Sequence, residues 1–308
     1  MIKNGIAVNG LQKGERRYKM VRIIADSTCD LSQELIEKYD ITILPLHVVL
    51  GEEDYLDGKN ITPEYIYEYS DRYKTTPKTA APGIGEAMDI LKETLCGADG
   101  VVCFGISGDM SSSVNNMKLA AEELEAADRV FTVDSRNLST GVGLLVLKAA
   151  QMAQAGICAP EIYESVTDII PRVRSSFVVD TMTYLYRGGR CNGVAALLGT
   201  ALKLHPMIVV EDGRMDVGKK YRGRYSNIIV NYAKDLENEL LSAEPERVFI
   251  THSGCKEAVV NEVYTYLKEL GYFKEIHITR AGGVISSHCG PGTLGVLFIA
   301  KSTGSSEI

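Results

Sequence analysis

Close cysteine pairs are missing from this chain of 308 residues. Its 7 cysteines stand at positions 29, 96, 103, 158, 191, 255 and 289, an odd number with no C-x-x-C spacing among them. That pattern excludes a zinc-finger type of site and argues against a disulfide framework, so reduced thiols in a cytoplasmic setting are expected. No run approaches the roughly 18 uncharged apolar residues of a membrane span, and no stable membrane insertion is expected. Basic charge is scarce: 33 Lys and Arg against 40 Asp and Glu leave a net charge of −7. Without a positive field, a nucleic acid partner is not expected. The chain has no G-x-x-x-x-G-K-[ST] phosphate loop, and "GISGD" (105–109) is not the G-x-S-x-G elbow of serine hydrolases. Its 5 histidines, at 47, 205, 252, 277 and 288, are not spaced as metal ligands, and neither metal nor cofactor is expected.

What is present is ordinary globular sequence, 45% hydrophobic and 24% charged, of a length that suggests two domains. Residues 1–19, "MIKNGIAVNGLQKGERRYK", lack the apolar core of a signal peptide and are expected to be a disordered extension before folded sequence from Met20. From there short β-like runs alternate with helical stretches. "VRIIAD" (21–26) reads as a strand, and "DLSQELIEKY" (30–39) as a helix with Asp30 as N-cap and Gln33 three residues on. "ITILPLHVVL" (41–50) reads as strand, and Thr62 with Pro63 opens a helix by the N-cap and N1 preferences. "GVVCFGIS" (100–107), apolar on both faces, suits a buried parallel strand. Helices over 111–126 and 139–155 flank the strand "VFTVDS" (130–135). This alternation predicts an α/β domain over 20–165, three layers around a parallel sheet with right-handed crossovers. Further on, "EDGRM" (211–215) turns a β-hairpin at Asp212 and Gly213. Helices over 226–242 and 256–270 then alternate with "RVFITH" (247–252), "EIHITR" (275–280) and "LGVLFIA" (294–300). A second, mixed-sheet α/β domain is expected over 166–302, with a short tail at 303–308.

Polar clusters follow three of the strands, and ligands in open α/β sheets collect at the carboxyl ends of strands. "ADSTCDL" (25–31) with Asp26 and Ser27, the serines of 107–113, and Asp134 with Ser135 are therefore candidates. Each also has a plain reading as a strand end and helix cap. "SGDMSSSVNN" (107–116) suits an anion best, because Ser111 and Ser112 stand where a helix N-terminus offers free N–H groups and the positive end of its dipole. "KTAAPG" (78–83) adds the Thr79 hydroxyl in a proline-shaped loop. "YRGGRCNG" (186–193) sets Arg187 and Arg190 around a glycine pair; a helix C-cap explains the glycines but not two guanidiniums, which suit carboxylates or phosphates. "SSHCGPGTLG" (286–295) places His288 before a glycine-rich turn. Gly290, Gly292 and Gly295 spell G-x-G-x-x-G, but the run precedes a final strand rather than opening a helix, so it reads as a backbone-shaping turn. Ser111 and His288 leave a Ser/His acyl hydrolase or acyltransferase as an alternative function, with no acidic third member legible from spacing.

Taken in order, "DSTCDL", Thr79 with Pro82, "IS" and "MS" within 106–111, "VDS" at 133–135, "RGGR", "EDGRM", "YRGR" and "HCGPGTLG" resemble the DegV family over about residues 20–302. The resemblance implies a two-domain DegV-like α/β fold, with a parallel-sheet N-terminal domain and a mixed C-terminal one. It further implies a lipid-binding protein without chemistry of its own, the acyl-binding subunit of a fatty acid kinase system. Such a subunit holds a long-chain fatty acid with its tail in an apolar pocket and its carboxylate near the interdomain cleft, and presents it to a separate kinase that makes acyl phosphate. The resemblance puts Thr79 and the serines Ser107, Ser111 and Ser112 at the carboxylate, with His288 beside them. Arg190, Asp26 and Ser27 fall near the head group or on the kinase-facing surface. Ala80 and Gly83 depart from the serines of the family's "T-S-x-P-S" loop, and Ser112 from the glycine of its "L-S-G-T". Burying about 15 methylenes at about 0.8 kcal/mol each supplies about 12 kcal/mol gross, of the order of the association cost. A carboxylate beside such a pocket needs hydrogen bonds, which hydroxyls and helix N–H groups provide without a permanent salt bridge.

Overall fold

Short apolar runs set the order of elements in a computed structural model that describes residues 20–191, 193–197 and 204–302. The expected extension over 1–19 and tail over 303–308 lie outside the described residues. The first half forms β1 (Val21–Asp26), α1 (Gln33–Lys38), β2 (Ile41–Leu44), β3 (His47–Leu50), β4 (Glu53–Leu56), α2 (Pro63–Tyr73), β5 (Lys78–Ala80), α3 (Ile84–Leu95), β6 (Gly100–Gly105), α4 (Ser113–Glu123), β7 (Val130–Asp134), α5 (Thr140–Gln154) and α6 (Ala159–Ile169). The second half continues with β8 (Val173–Val178), α7 (Thr183–Gly188), α8 (Val194–Leu197), β9 (Leu204–Glu211), β10 (Arg214–Arg222), α9 (Tyr225–Asp235), α10 (Glu237–Leu241), β11 (Ala243–His252), α11 (Glu257–Glu269), β12 (Glu275–Arg280), α12 (Gly283–Cys289) and β13 (Leu294–Ala300).

Strands β2-β1-β6-β7 form a parallel sheet, and β10-β9-β8-β13-β11-β12 form a mixed one in which β11 and β12 alone run parallel. A third, antiparallel sheet ordered β4-β3-β5 was not expected. It arises because Pro45, which has no N–H for a ladder, splits the run read as one strand. β2 stays on the parallel sheet while β3 turns away to pair with β4 and β5. Two helix boundaries also differ from the sequence expectation. α1 is capped by Ser32, whose Oγ accepts from the Leu35 N–H at 3.4 Å, because Asp30 sits in the left-handed region (φ 49°) with its carboxylate engaged elsewhere. The helix expected over 226–242 breaks at Leu236 into α9 and α10. Thr62 and Pro63 open α2 as expected, and Asp212 and Gly213, both at positive φ, turn the β9–β10 hairpin.

α5 has no polar face over most of its length: Val142, Leu144, Leu145, Val146, Leu147 and Ala149 are all fully buried. A helix apolar all round must be covered all round. It packs on β1 and β6 of the parallel sheet and on β8 and β13 of the mixed sheet. One apolar cluster therefore runs from Ile23, Phe104 and Val133 through α5 to Val173, Phe249, Leu297 and Ile299. This shared core holds the two sheets in fixed register around the cavity described below. Truncating its centre, Leu145→Ala, is expected to cost about 2–5 kcal/mol of stability. Denaturant unfolding followed by circular dichroism should remain a single transition, shifted to lower midpoint; two separated transitions would show that the halves do not share this core.

Candidate ligand-binding site

The site is built around α12, a short helix whose two ends meet different chemistry. At its start, the Gly282 N–H donates to Asp30 Oδ1 at 2.8 Å and the Gly283 N–H to Asp57 Oδ1 at 2.6 Å. The second oxygens are also satisfied, Asp30 Oδ2 by the Ser139 hydroxyl at 2.5 Å and Asp57 Oδ2 by the Ser27 hydroxyl at 2.9 Å. Both aspartates are buried, and burial pushes both carboxyls above their ordinary range, Asp30 most strongly. Glycine at 282 and 283 permits the approach, since a Cβ at either position would crowd these carboxylates.

At its other end α12 carries His288. Nε2 lies 2.8 Å from Thr79 Oγ1, and Nδ1 is buried without a hydrogen-bond partner. The ring sits against Gly188 at the end of α7, where a Cβ would overlap Nδ1. Burial, reinforced by the charge of Arg190, pulls the His288 pKa down to about 4, so the imidazole is neutral at neutral pH. The turn that follows is shaped by backbone: Gly290 (φ 75°) and Gly292 (φ 79°) occupy conformations that L side chains rarely adopt.

Thr79, Ser111, Ser112, Arg190 and His288 come together at one cavity of about 310 Å3. Its remaining wall is mainly apolar, with Leu46, Ile106, Met110, Leu138, Met215 and Ile285. A smaller hollow of about 20 Å3 shares Leu138, Ile285 and Cys289 with it and continues to Phe177 and Leu297, toward the shared core. Ser111 Oγ accepts from the Ser113 N–H at 3.3 Å, and Ser112 stands at the N-cap of α4 without a side-chain cap bond. Arg190 is exposed, with Nη1 donating to the Gly188 carbonyl at 2.7 Å.

Of the residues expected at the carboxylate or head group, Ser107, Asp26 and Ser27 do not line the cavity, and neither do Ser113, Asp134, Ser135 and Arg187. Ser107 is fully buried; its Oγ donates to the Gly213 carbonyl at 2.7 Å and accepts from the Asp109 N–H at 3.3 Å, tying the β6–α4 loop to the β9–β10 turn. Asp26 is fully buried and accepts from Thr28 and from the Ile106 N–H, bracing the strand ends. Ser27 holds Asp57 and accepts from the Leu46 N–H at 3.1 Å. These residues support the site from behind. Asp57 and Gly188 were missed in the sequence: an aspartate before a glycine reads locally as a turn, and a glycine after a helix as its cap. Among the described residues no group of three or more His, Cys, Asp or Glu is placed to hold a metal ion, and no helix is long and apolar enough to cross a membrane.

The family model described as "Uncharacterised protein, DegV family" matches residues 20–301. A DegV domain-containing protein of Caldanaerobacter subterraneus subsp. tengcongensis is 32% identical over 288 residues, 91% of this chain and 99% of that protein. Among solved structures, a DegV family protein from Thermus thermophilus characterised for fatty acid binding aligns with a TM-score of 0.84 at 30% identity, covering 92% of this chain and 100% of that one. A stearic acid-binding protein from Eubacterium ventriosum aligns with a TM-score of 0.78 at 28% identity, covering 92% and 99%.

The depressed basicity of His288 has a stability consequence. An unfolded histidine titrates near 6.5 and the folded one near 4, so between these values the unfolded chain binds a proton that the folded chain refuses. The part of the stability tied to His288 is therefore full above about pH 6.5 and is lost as pH drops toward 4, about 3 kcal/mol in all. His288→Asn should lose this part of the acid sensitivity when unfolding free energies are compared at about pH 7 and pH 4.5; equal acid losses in the two proteins would refute it.

Proposed function

The chain belongs to the DegV family, and from that premise we propose that it binds a long-chain fatty acid, tail along the apolar wall and carboxylate at Thr79, Ser111, Ser112 and His288. The observation that carries this reading is the cavity itself, one apolar run closed at one end by neutral donors. Hydroxyls and the first N–H groups of α4 suit a carboxylate that has left water. A neutral His288 can donate toward the cavity through Nε2 in the tautomer that carries its proton there, since Nδ1 is buried against Gly188. The solved structures that support the reading are those of proteins that bind fatty acids.

In this reading residues 20–165 and 166–302 act as two domains with the ligand between them, the first giving Thr79 and the serines, the second Arg190 and His288. The protein does no chemistry itself and works in the cytoplasm. It presents the carboxylate to a separate kinase for acyl phosphate formation, with the exposed Arg190 at the mouth facing that partner. The alternative, a Ser/His acyl hydrolase, has less support. His288 pairs with Thr79 rather than Ser111, and its other nitrogen has no acid to orient it.

Native mass spectrometry of the freshly purified protein should show a non-covalent adduct with the mass of a long-chain fatty acid, lost on denaturation. An apo mass that stays unchanged after incubation with such acids would sink the reading. Thr79→Ala and Ser111→Ala should each weaken fatty acid retention by about tenfold or more, the loss expected for a hydrogen bond to a charged group. Arg190→Ala should spare retention and impair transfer to the kinase; equal loss of ligand in all three variants would overturn that division.

A further inference from the structure

The cavity's polar end rests on a short edge strand, and a histidine outside the cavity grips that strand from behind. β5 has only three residues and pairs with β3 alone, His47 opposite Ala80 and Val48 opposite Thr79. Alternation along the strands sends Thr79 and Val48 to one face and His47 and Ala80 to the other. The first face meets α12: Val48 packs in one cluster with Val284, and Thr79 bonds His288.

On the second face His47 lies between two carboxylates. Its Nδ1 is 2.9 Å from Asp54 Oδ2 on β4, and its Nε2 is 3.1 Å from Glu86 Oε2 on α3. The same Glu86 oxygen accepts the N–H of Gly83, the N-cap of α3, at 2.7 Å, the return half of a capping box. The turn from Thr79 to Gly83 is thus held at its far end by an acid that His47 also holds. Asn116 steadies it from α4 by donating to the Pro82 carbonyl at 2.8 Å. Around the ring the charged and titratable groups are Asp54 on β4, Glu86 on α3 and, on β5, Lys78 on the same face as Ala80; α12, with His288, covers the opposite face. Burial pulls the imidazole's pKa down, but the hydrogen bonds to Glu86 and Asp54 outweigh it, and the net shift is upward.

Building on the fatty acid reading above, we propose that His47 is a positioning residue for the carboxylate-binding turn: its protonated ring, held between Asp54 and Glu86, fixes the Thr79 hydroxyl, and loss of that proton loosens ligand binding. The raised value keeps the ring charged to higher pH than a free histidine, so affinity falls as pH rises through it.

Titration of the full chain with stearic acid at about pH 6 and pH 8.5 tests this. At pH 6, His47→Gln should bind about fivefold more weakly than wild type, the size expected of one or two partly exposed ion pairs. At pH 8.5 the two should agree within about twofold. Glu86→Gln, which keeps the imidazole but removes one carboxylate, should show the same loss at pH 6 and guards against a folding defect of the histidine variant. Wild-type affinity and pH dependence in both variants would overturn the proposal and leave fatty acid binding intact. If wild type itself does not take up stearic acid, the fatty acid reading fails. The ring NMR resonances of His288 in the ligand-free protein then decide the positioning role: a shift in His47→Gln sustains it, and no shift overturns it.

Discussion

Two buried carboxylates, Asp30 and Asp57, accept the first N–H groups of α12, and the polar end of the cavity depends on that contact. Asp30 follows β1 and Asp57 follows β4, while α12 lies more than 200 residues further along the chain. The contact fixes a helix of the mixed-sheet half against loops of the parallel-sheet half. Burying a carboxylate is costly unless its oxygens are hydrogen-bonded, and each of these acids has at least one backbone and one hydroxyl donor. Loss of Asp57 would also strand the buried Gly283 N–H, which by itself costs about 1–3 kcal/mol. Gly282 and Gly283 are constrained by space as well, since a Cβ at either would sit 3.0–3.3 Å from a carboxylate oxygen.

The same desolvation acts with opposite sign at the two ends of α12. At the start it pushes the acids up; at the end it strips the proton from His288. Beside the cavity this leaves neutral groups, the Thr79, Ser111 and Ser112 hydroxyls and an uncharged imidazole, with the only cation among the lining residues, Arg190, exposed at the rim. An exposed guanidinium is screened by solvent and contributes little to holding an anion. A carboxylate at this end would depend chiefly on hydrogen bonds from neutral groups rather than on an ion pair.

Much of this architecture was legible because buried parallel strands read as continuous apolar runs: β1, β6 and β7 stand out in the sequence, as does the Asp212–Gly213 hairpin. The β4-β3-β5 sheet did not, since strands of three or four residues leave no periodic signal, although Pro45 marked the break. Thr79, Ser111, Ser112, Arg190 and His288 were brought to one cavity by an ordered set of weak motifs that no single spacing argument supplies. Asp26 and Ser107 follow the plain reading of polar residues at strand ends, satisfying buried backbone groups. Asp30 shows why local pattern falls short. Its sequence neighbours favour a helix cap, and a glycine N–H 252 positions away took its carboxylate instead.

The two halves also meet along a polar seam on either side of the cavity. On one side Asp109 faces Arg136 and Arg214, Arg136 bonds the Asp212 carbonyl, and Ser107 bonds Gly213. On the other side stand the two aspartates with α12. The Thr79–His288 bond, between two residues that line the cavity, is neutral and only partly buried. A neutral bond of this kind is worth about 1 kcal/mol net, against about 1.5–3 kcal/mol for one to a charged group. It shares this neutral character with the Ser107–Gly213, Tyr67–Ser253 and Thr140–Thr251 bonds, which also join the halves. The Asp109–Arg214 ion pair and the bond from Arg136 to the Asp212 carbonyl add charged contacts to these neutral ones.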